Sequence, residues 1–275
     1  MSNHWFPGHM AKARRLMSEH ISNIDCIIEV RDARLPLSSA NPMLQELKGS
    51  KPTLILFSKS DLSDEKMNES FKQHFDRIQQ PNLFLNSLHV SARNKVLKAL
   101  DQALEPKRLK DKSKGIQFRM YKIMVVGIPN VGKSTLINTL ARKRVVDVAN
   151  KPGVTQSLKW LNIDDKYMLM DTPGVLWPKF EDPNTGTKIA LCHSMKEGVV
   201  NIEEVVEYAF TFIKEYYPHL LNTSVNEEVR VIIENEIQAI KINSLSLTDE
   251  EALLTLYRNI KEGRLGRITY DRIED

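Results

Sequence analysis

Short apolar runs alternate along the first two thirds of the chain with stretches whose apolar residues recur every three or four positions. Ile24–Val30, Thr53–Phe57, Leu83–Leu85, Lys122–Gly127, Leu158–Ile163 and Tyr167–Asp171 are compact and bounded by polar, Gly or Pro residues, and they predict strands. Between them the spacing predicts helices over Pro42–Lys48, with Asn41 and Pro42 as cap and first turn, and over Asp64–Phe75, Lys95–Leu104 and Lys133–Leu140. Strand and helix in alternation predict an α/β fold with a parallel sheet covered on both faces.

After about Thr187 the pattern becomes helical throughout. Asn201-Ile-Glu-Glu204 reads as a capping box, Ile202, Val205, Val206, Ala209, Phe210, Ile213 and Tyr217 follow at helical spacing, and Pro218 ends the run. Val225–Ile242 continues the same reading, and Thr248 caps a last helix that closes near Gly263. The expected organisation is an α/β domain over 1–187 and an all-helical domain over 188–275. Glu105–Lys122 carries seven basic and two acidic residues and reads either as an exposed linker able to touch phosphate or as a solvated charged loop.

Composition narrows the function classes without choosing one. A chain of 275 residues with 39 Lys and Arg against 35 Asp and Glu has a net charge of +4, too small to imply nucleic acid by itself. No apolar run approaches the ~20 residues of a membrane span. Met1–Arg15 lacks an apolar signal core, which predicts the cytoplasm or an organelle matrix. Cys26 and Cys192 are too far apart for a Cys-x-x-Cys zinc module, and the seven histidines show no ligand spacing.

Chemistry enters at Gly127-Ile-Pro-Asn-Val-Gly-Lys133-Ser134, two glycines with four residues between them, then Lys and Ser, placed between a strand and a helix. Such a loop surrounds phosphates with backbone N–H groups and adds the positive end of a helix. The segment Asn130, Val131, Gly132, Lys133, Ser134 and Thr135 is the expected phosphate cradle. Lys133 would supply charge to the β and γ phosphates and Ser134 a hydroxyl ligand for Mg²⁺. Asp171-Thr-Pro-Gly174 would add a carboxylate for the Mg²⁺ shell and a backbone N–H for the γ-phosphate, and Thr155 a second hydroxyl ligand. Their order matches a GTPase switch system. Ser58-Lys59-Ser60-Asp61 resembles the guanine-reading Asn-Lys-x-Asp tetrapeptide: Asp61 would accept from guanine N1–H and the exocyclic amine, donors that adenine lacks in that arrangement. Lys59 would pack its stem along the base. Ser58 lacks the amide that ties this loop to the phosphate loop, which predicts weakened guanine affinity.

The base-reading element precedes the phosphate loop, so the chain resembles a circularly permuted GTPase. His4-Trp-Phe-Pro-Gly-His-Met-Ala-Lys-Ala-Arg14, Arg31-Asp-Ala-Arg34 and Asp171-Thr-Pro-Gly-Val-Leu-Trp-Pro-Lys179 closely resemble the ribosome biogenesis GTPase A family and its mitochondrial relatives. The likeness covers about residues 4–190 and recurs at Gly263-Arg-Leu-Gly-Arg267. It implies a GTPase with GTP, GDP and Mg²⁺ as ligands, acting as a cytoplasmic monomer on a large ribosomal subunit precursor and its rRNA late in assembly, with the mitochondrial matrix as the alternative location. By spacing, Asn86 and Ser87 match the family's remaining base-contacting segment, with Ser91-Ala-Arg93 as a rival. Val175 stands where many GTPases carry a water-orienting Gln. The resemblance points instead to His9 as the catalytic group, the other reading being a structural or RNA-facing histidine. Asn130 resembles the Asn of related GTPases that use K⁺. Two further readings remain open: an RNA-binding scaffold with nucleotide as a regulatory ligand and little turnover, and an ATP-dependent enzyme, which Asp61 argues against.

Overall fold

The computed structural model describes residues 8–142, 159–177, 180, 182–192, 195, 200–222, 226–244 and 246–273, with backbone alone at 8–13, 159 and 183. A first helix α1, Gly8–Ile21, leads into β1, Cys26–Asp32, followed by α2, Pro42–Lys48, and β2, Thr53–Ser58. Then come α3, Glu65–Arg77, β3, Asn82–Phe84, and α4, Ala92–Ala103. After α5, Glu105–Ser113, the chain forms β4, Tyr121–Val126, α6, Lys133–Ala141, β5, Lys159–Asn162, and β6, Tyr167–Asp171.

These strands form one six-stranded sheet in the order β3-β2-β1-β4-β6-β5. The sheet predicted to be parallel is so at four of its five ladders, but β5 runs antiparallel to β6 at one edge. An antiparallel neighbour at the edge of an otherwise parallel sheet needs no covering crossover helix. Alternate side chains of β2 feed opposite faces: Leu54 and Leu56 join α4 and α6 residues such as Val96, Leu100, Leu136 and Ile137, whereas Ile55 and Phe57 pack with Phe71 and Phe75 of α3. Burial on both faces explains why the strands read as continuous apolar runs.

The segment expected to be a linker or solvated loop is corrected at its centre. Pro106 opens α5, which buries none of its residues, so it carries no apolar period for the sequence to reveal. Charge pairs anchor the segment instead: Lys107 and Arg119 lie 2.9 and 2.8 Å from the buried Asp25, and Arg119 also meets Asp111 at 2.8 Å. Two of its cations are therefore occupied within the protein.

Beyond the sheet, α7, Pro183–Ala190, leads to a bundle of α8, Ile202–Tyr216, α9, Val229–Asn243, and α10, Asp249–Lys261. Asn201 caps α8, and Thr248 with Glu251 forms a full capping box on α10. Val206, Phe210, Ile213, Leu256, Tyr257 and Ile260 are among the buried residues of this second core. The last stretch returns to the α/β part, where Tyr270 N–H donates to Arg34 O at 2.8 Å and Ile268 N–H to Leu62 O at 3.2 Å.

Candidate functional site

Going from β1, the chain steps outward through β2 and β3 and then restarts at β4 on the opposite side of β1. The carboxyl ends of β1 and β4 therefore flank a topological switch point, where open parallel sheets bind ligands. Four of the motifs singled out in the sequence lie at carboxyl ends of this sheet: Ser58–Asp61 at the end of β2, Asn86 and Ser87 after β3, Gly127–Ser134 after β4, and Asp171–Gly174 at the end of β6.

The phosphate loop is shaped by close backbone approach. A Cβ on Gly127, whose φ is +153°, would lie 2.4 Å from Val30 O of β1, so only glycine fits. The loop wraps its own lysine: Lys133 Nζ donates to Gly127 O at 3.1 Å and Ile128 O at 2.8 Å. Burial pushes that ammonium down to about 8, against the opposing pull of Asp171. No side chain caps α6, whose cap residue is Gly132, so the amides of its first turn are open to an anion, with Ser134 and Thr135 half-buried beside them.

Asp171 ends β6 in register with Val125 of β4 and is buried. Thr172 Oγ1 donates to Val125 O at 2.6 Å, which fixes the turn after it. Gly174 then touches the phosphate loop: a Cβ there would lie 2.7 Å from Pro129 Cα and 2.9 Å from Lys133 Nζ. Val175, fully buried, donates its N–H to Gly127 O at 3.4 Å and accepts from Asn41 Nδ2 at 2.7 Å. Its side chain has no polar atom to offer a water.

The base-reading tetrapeptide is joined to the phosphate loop at two points. Ser58, buried at the end of β2, sets its Oγ 2.5 Å from Val131 O and 3.0 Å from Arg31 O. The amide is missing, and the hydroxyl ties the two loops together instead. Lys59 Nζ donates to Asn130 O at 3.0 Å and to Asp32 Oδ2 at 2.9 Å. Asp61 is exposed, and its carboxylate has no hydrogen-bond or ion-pair partner among the described residues. Asn86 Oδ1 accepts from Leu88 N–H at 2.9 Å, and Ser87 O accepts from Thr139 Oγ1 of α6 at 2.8 Å. In the rival segment Ser91 pairs with His89, and Arg93 is spent on Leu140 O at 2.9 Å.

The sequence offers Asp32 only as part of Arg31-Asp-Ala-Arg34, with no role of its own. It is fully buried, with Arg34 Nε and Nη2 each at 2.9 Å and Lys59 from the other side, and the two cations hold its carboxyl far below the usual range although burial alone would raise it. Arg34 reaches on to Lys261 O of α10 at 2.7 Å. The available signal was charge inside an apolar strand, since Arg31-Asp-Ala-Arg34 continues β1. Cys26 and Cys192 are buried free thiols pushed up to about 12 by burial. His9 falls on α1 with its side chain outside the described residues, as does Thr155 entirely.

The donor set fits Mg²⁺ held by hydroxyls, one carboxylate and phosphate: Asp171 is a single buried carboxylate beside the phosphate loop, and no cluster of three His, Cys, Asp or Glu that could hold a metal occurs among the described residues. Likewise no helix among the described residues is long and apolar enough to cross a membrane.

The family described as 50S ribosome-binding GTPase matches residues 122–244. The chain is 36% identical to the ribosome biogenesis GTPase A of Bacillus licheniformis over 98% of each sequence. It is 34% identical to the probable ribosome biogenesis GTPase A of Mycoplasma genitalium, over 97% of this chain and 96% of that one. It is 31% identical to the mitochondrial ribosome-associated GTPase 1 of Mus musculus, over 98% and 90%. The crystal structure of GNP-bound YlqF from T. maritima superposes with a TM-score of 0.71 over 96% of this chain and 99% of that one, at 22% identity, which establishes the shared fold.

Proposed function

The chain belongs to the ribosome biogenesis GTPase A family, a family of GTP hydrolases with a ribosome-associated role, and from that premise we propose that it binds a large ribosomal subunit precursor and its rRNA and hydrolyses GTP to GDP and phosphate late in assembly. The observation that carries the guanine part of this reading is the double tie between the base-reading and phosphate loops, Ser58 Oγ to Val131 O and Lys59 Nζ to Asn130 O. These bonds support a reading in which Asp61 and Lys133 act on one nucleotide, although 71 positions separate Lys59 from Asn130. Adenine would leave the Asp61 carboxylate desolvated and unpaired, a mismatch worth several kcal/mol.

In this reading Lys133 leaves its loop carbonyls for the β and γ phosphates, while Asn130 to Thr135 surround them with amides. Asn86 and Ser87 close the base pocket. Ser134, Thr155 and Asp171 would hold Mg²⁺, which when bound would supply positive charge to the phosphates. Gly174 reports the γ-phosphate, and its link through Val175 to Asn41 carries that state into α2. His9 orients the water in place of the missing Gln, and Asn130 would help hold K⁺, which would supply further positive charge near the phosphates. The protein works as a cytoplasmic monomer, its GTPase domain over 1–187 and its helical domain over 188–275.

Co-sedimentation with isolated large subunits should differ between GDP and a non-hydrolysable GTP analogue, and the particle should accelerate turnover. Equal binding in both states, with equal turnover with and without the particle, would overturn the proposal. The fully buried Val175 favours one second reading, a scaffold with little turnover. Single-turnover hydrolysis separates the two: loss in His9→Ala with retained GTP binding supports the enzyme, and no change supports the scaffold.

A further inference from the structure

The segment Gly263-Arg-Leu-Gly-Arg267 lies about 200 positions beyond the base-reading tetrapeptide, and none of the roles above uses it. The structure folds it onto the loop that carries Asp61. Arg267 Nε donates to Ser63 O at 2.8 Å and Nη2 to Ser60 O at 3.1 Å, so one guanidinium brackets Asp61 from both sides. Ile268 N–H donates to Leu62 O at 3.2 Å, and Thr269 Oγ1 accepts from Asp64 N–H at 3.1 Å. Gly263 lies against the Leu62 side chain.

The loop's own backbone bonds near Asp61 are Leu62 N–H to Lys59 O at 2.9 Å and a long one from Ser60 N–H to Leu85 O at 3.4 Å. At its far end Ser63 Oγ lies 2.8 Å from Asn68 Oδ1 and 3.3 Å from Ser60 O, and Asp64 caps α3 by accepting from Lys66 N–H at 2.8 Å, but none of these bonds is made by Asp61 or Leu62. Asp61 itself is exposed, and its carboxylate has no partner among the described residues. The Arg267 side chain is 48% exposed and its ion pair with the exposed Glu65 is long, 3.5 Å, so neither core packing nor charge pairing explains the residue. A planar fork with fixed donors suits two carbonyls three residues apart.

We propose that Arg267 is a positioning residue for guanine recognition, holding residues 60–64 so that the Asp61 carboxylate meets the base without first being ordered. This rests on the reading of Asp61 as the guanine acceptor. A loop that must be ordered on binding lowers affinity, and it does so most for the ligand that uses the loop fully. Guanine gives Asp61 two donors, N1–H and the exocyclic amine, whereas hypoxanthine gives only N1–H. Loosening the clamp therefore weakens GDP more than IDP. Because Tyr217 OH of the helical bundle meets Thr269 at both N (3.2 Å) and O (3.4 Å), the clamp also ties the base pocket to that bundle.

The test is equilibrium binding of GDP, IDP and XDP to the full chain, as wild type and as Arg267→Ala, Arg267→Lys, Arg264→Ala and Asp61→Asn. Arg264 sits in the same turn and pairs only with Glu262 among the described residues, so its variant should behave as wild type. Arg267→Ala should weaken GDP by roughly tenfold, the scale of one lost hydrogen-bond pair, and IDP by less, with KM for GTP raised and kcat unchanged. Arg267→Lys should recover part of the loss. Should Arg267→Ala fail to fold, Arg267→Gln carries the same comparison. If Asp61→Asn shifts preference from GDP to XDP while Arg267→Ala leaves the GDP-to-IDP ratio unchanged, the positioning role is overturned and the Asp61 reading stands. If Asp61→Asn produces no shift, that reading fails and the inference falls with it.

Discussion

Lys59 Nζ lies 2.9 Å from Asp32 Oδ2, so the lysine of the base-reading loop is anchored to the end of β1 before any nucleotide arrives. Arg34 grips the same carboxylate and reaches Lys261 O at 2.7 Å, which makes Asp32 the junction between base pocket, sheet and helical bundle.

Removing that carboxylate should be costly, because it leaves two cations without their partner, one of them fully buried. Asp32→Asn is expected to destabilise the protein by about 3–5 kcal/mol in urea unfolding, the scale for breaking one side of a buried ion pair. The pH dependence has a definite sign. The Asp32 carboxyl is depressed in the folded state, so its stabilisation is complete above its unfolded value of about 4 and is lost as pH falls below that. Unfolding free energy in wild type should drop steeply below about pH 4 and less steeply in Asp32→Asn. Equal slopes would remove Asp32 from the account.

The hydroxyl of Ser58 has one hydrogen and two nearby carbonyl acceptors, Val131 O at 2.5 Å being the closer. Ser58→Ala leaves a buried carbonyl of the phosphate loop unpaired, which costs about 1–3 kcal/mol. The expected outcome is lower stability by that amount and several-fold weaker GDP binding by calorimetry. Unchanged GDP affinity would mean that the tie is dispensable.

Much of this site was legible in the sequence because its chemistry is local. The glycine spacing around Lys133, the strand before it and the helix after it fall within one continuous stretch, Tyr121–Ala141, and periodicity placed each strand to within a residue or two. The missed features are of two kinds. β5 gave an apolar run but no information on direction, since parallel and antiparallel edge strands share a side-chain period. Asp32 and Arg267 lie in motifs the sequence offered, but their roles rest on contacts made only after folding, 27 and about 200 positions from their partners in the tetrapeptide, which local spacing does not reveal. Ser58 shows the converse: a departure from the expected residue type read as a loss, until the fold brought its hydroxyl to Val131 O.

Lys133 supplies a second pH dependence, of opposite chemistry. Burial depresses its ammonium to about 8, so the unfolded chain binds more protons than the folded one between about pH 8 and 10.5. Nucleotide-free protein should therefore gain stability across that window, by up to about 3 kcal/mol. Lys133→Met should abolish the gain and weaken GDP by about 2–5 kcal/mol, through loss of the charge facing the phosphates. A wild-type profile that is flat from pH 8 to 10 would contradict the buried, charged lysine.

In the proposed reading Gly174 separates the diphosphate from the triphosphate state. Its backbone lies so close to the phosphate loop that a methyl group would stand 2.7 Å from Pro129 Cα, 2.8 Å from Pro129 N and 2.9 Å from Lys133 Nζ. Two of those neighbours are backbone atoms, so Gly174→Ala must push the two loops apart, at an overpacking cost of about 1–3 kcal/mol. GDP uses the phosphate loop without needing the Gly174 N–H, whereas a γ-phosphate has to bridge the widened gap. The non-hydrolysable GTP analogue should lose affinity by roughly tenfold more than GDP does, a difference of about 1.4 kcal/mol. Equal losses for both nucleotides would place Gly174 in the frame of the phosphate loop rather than in the sensing of the γ-phosphate.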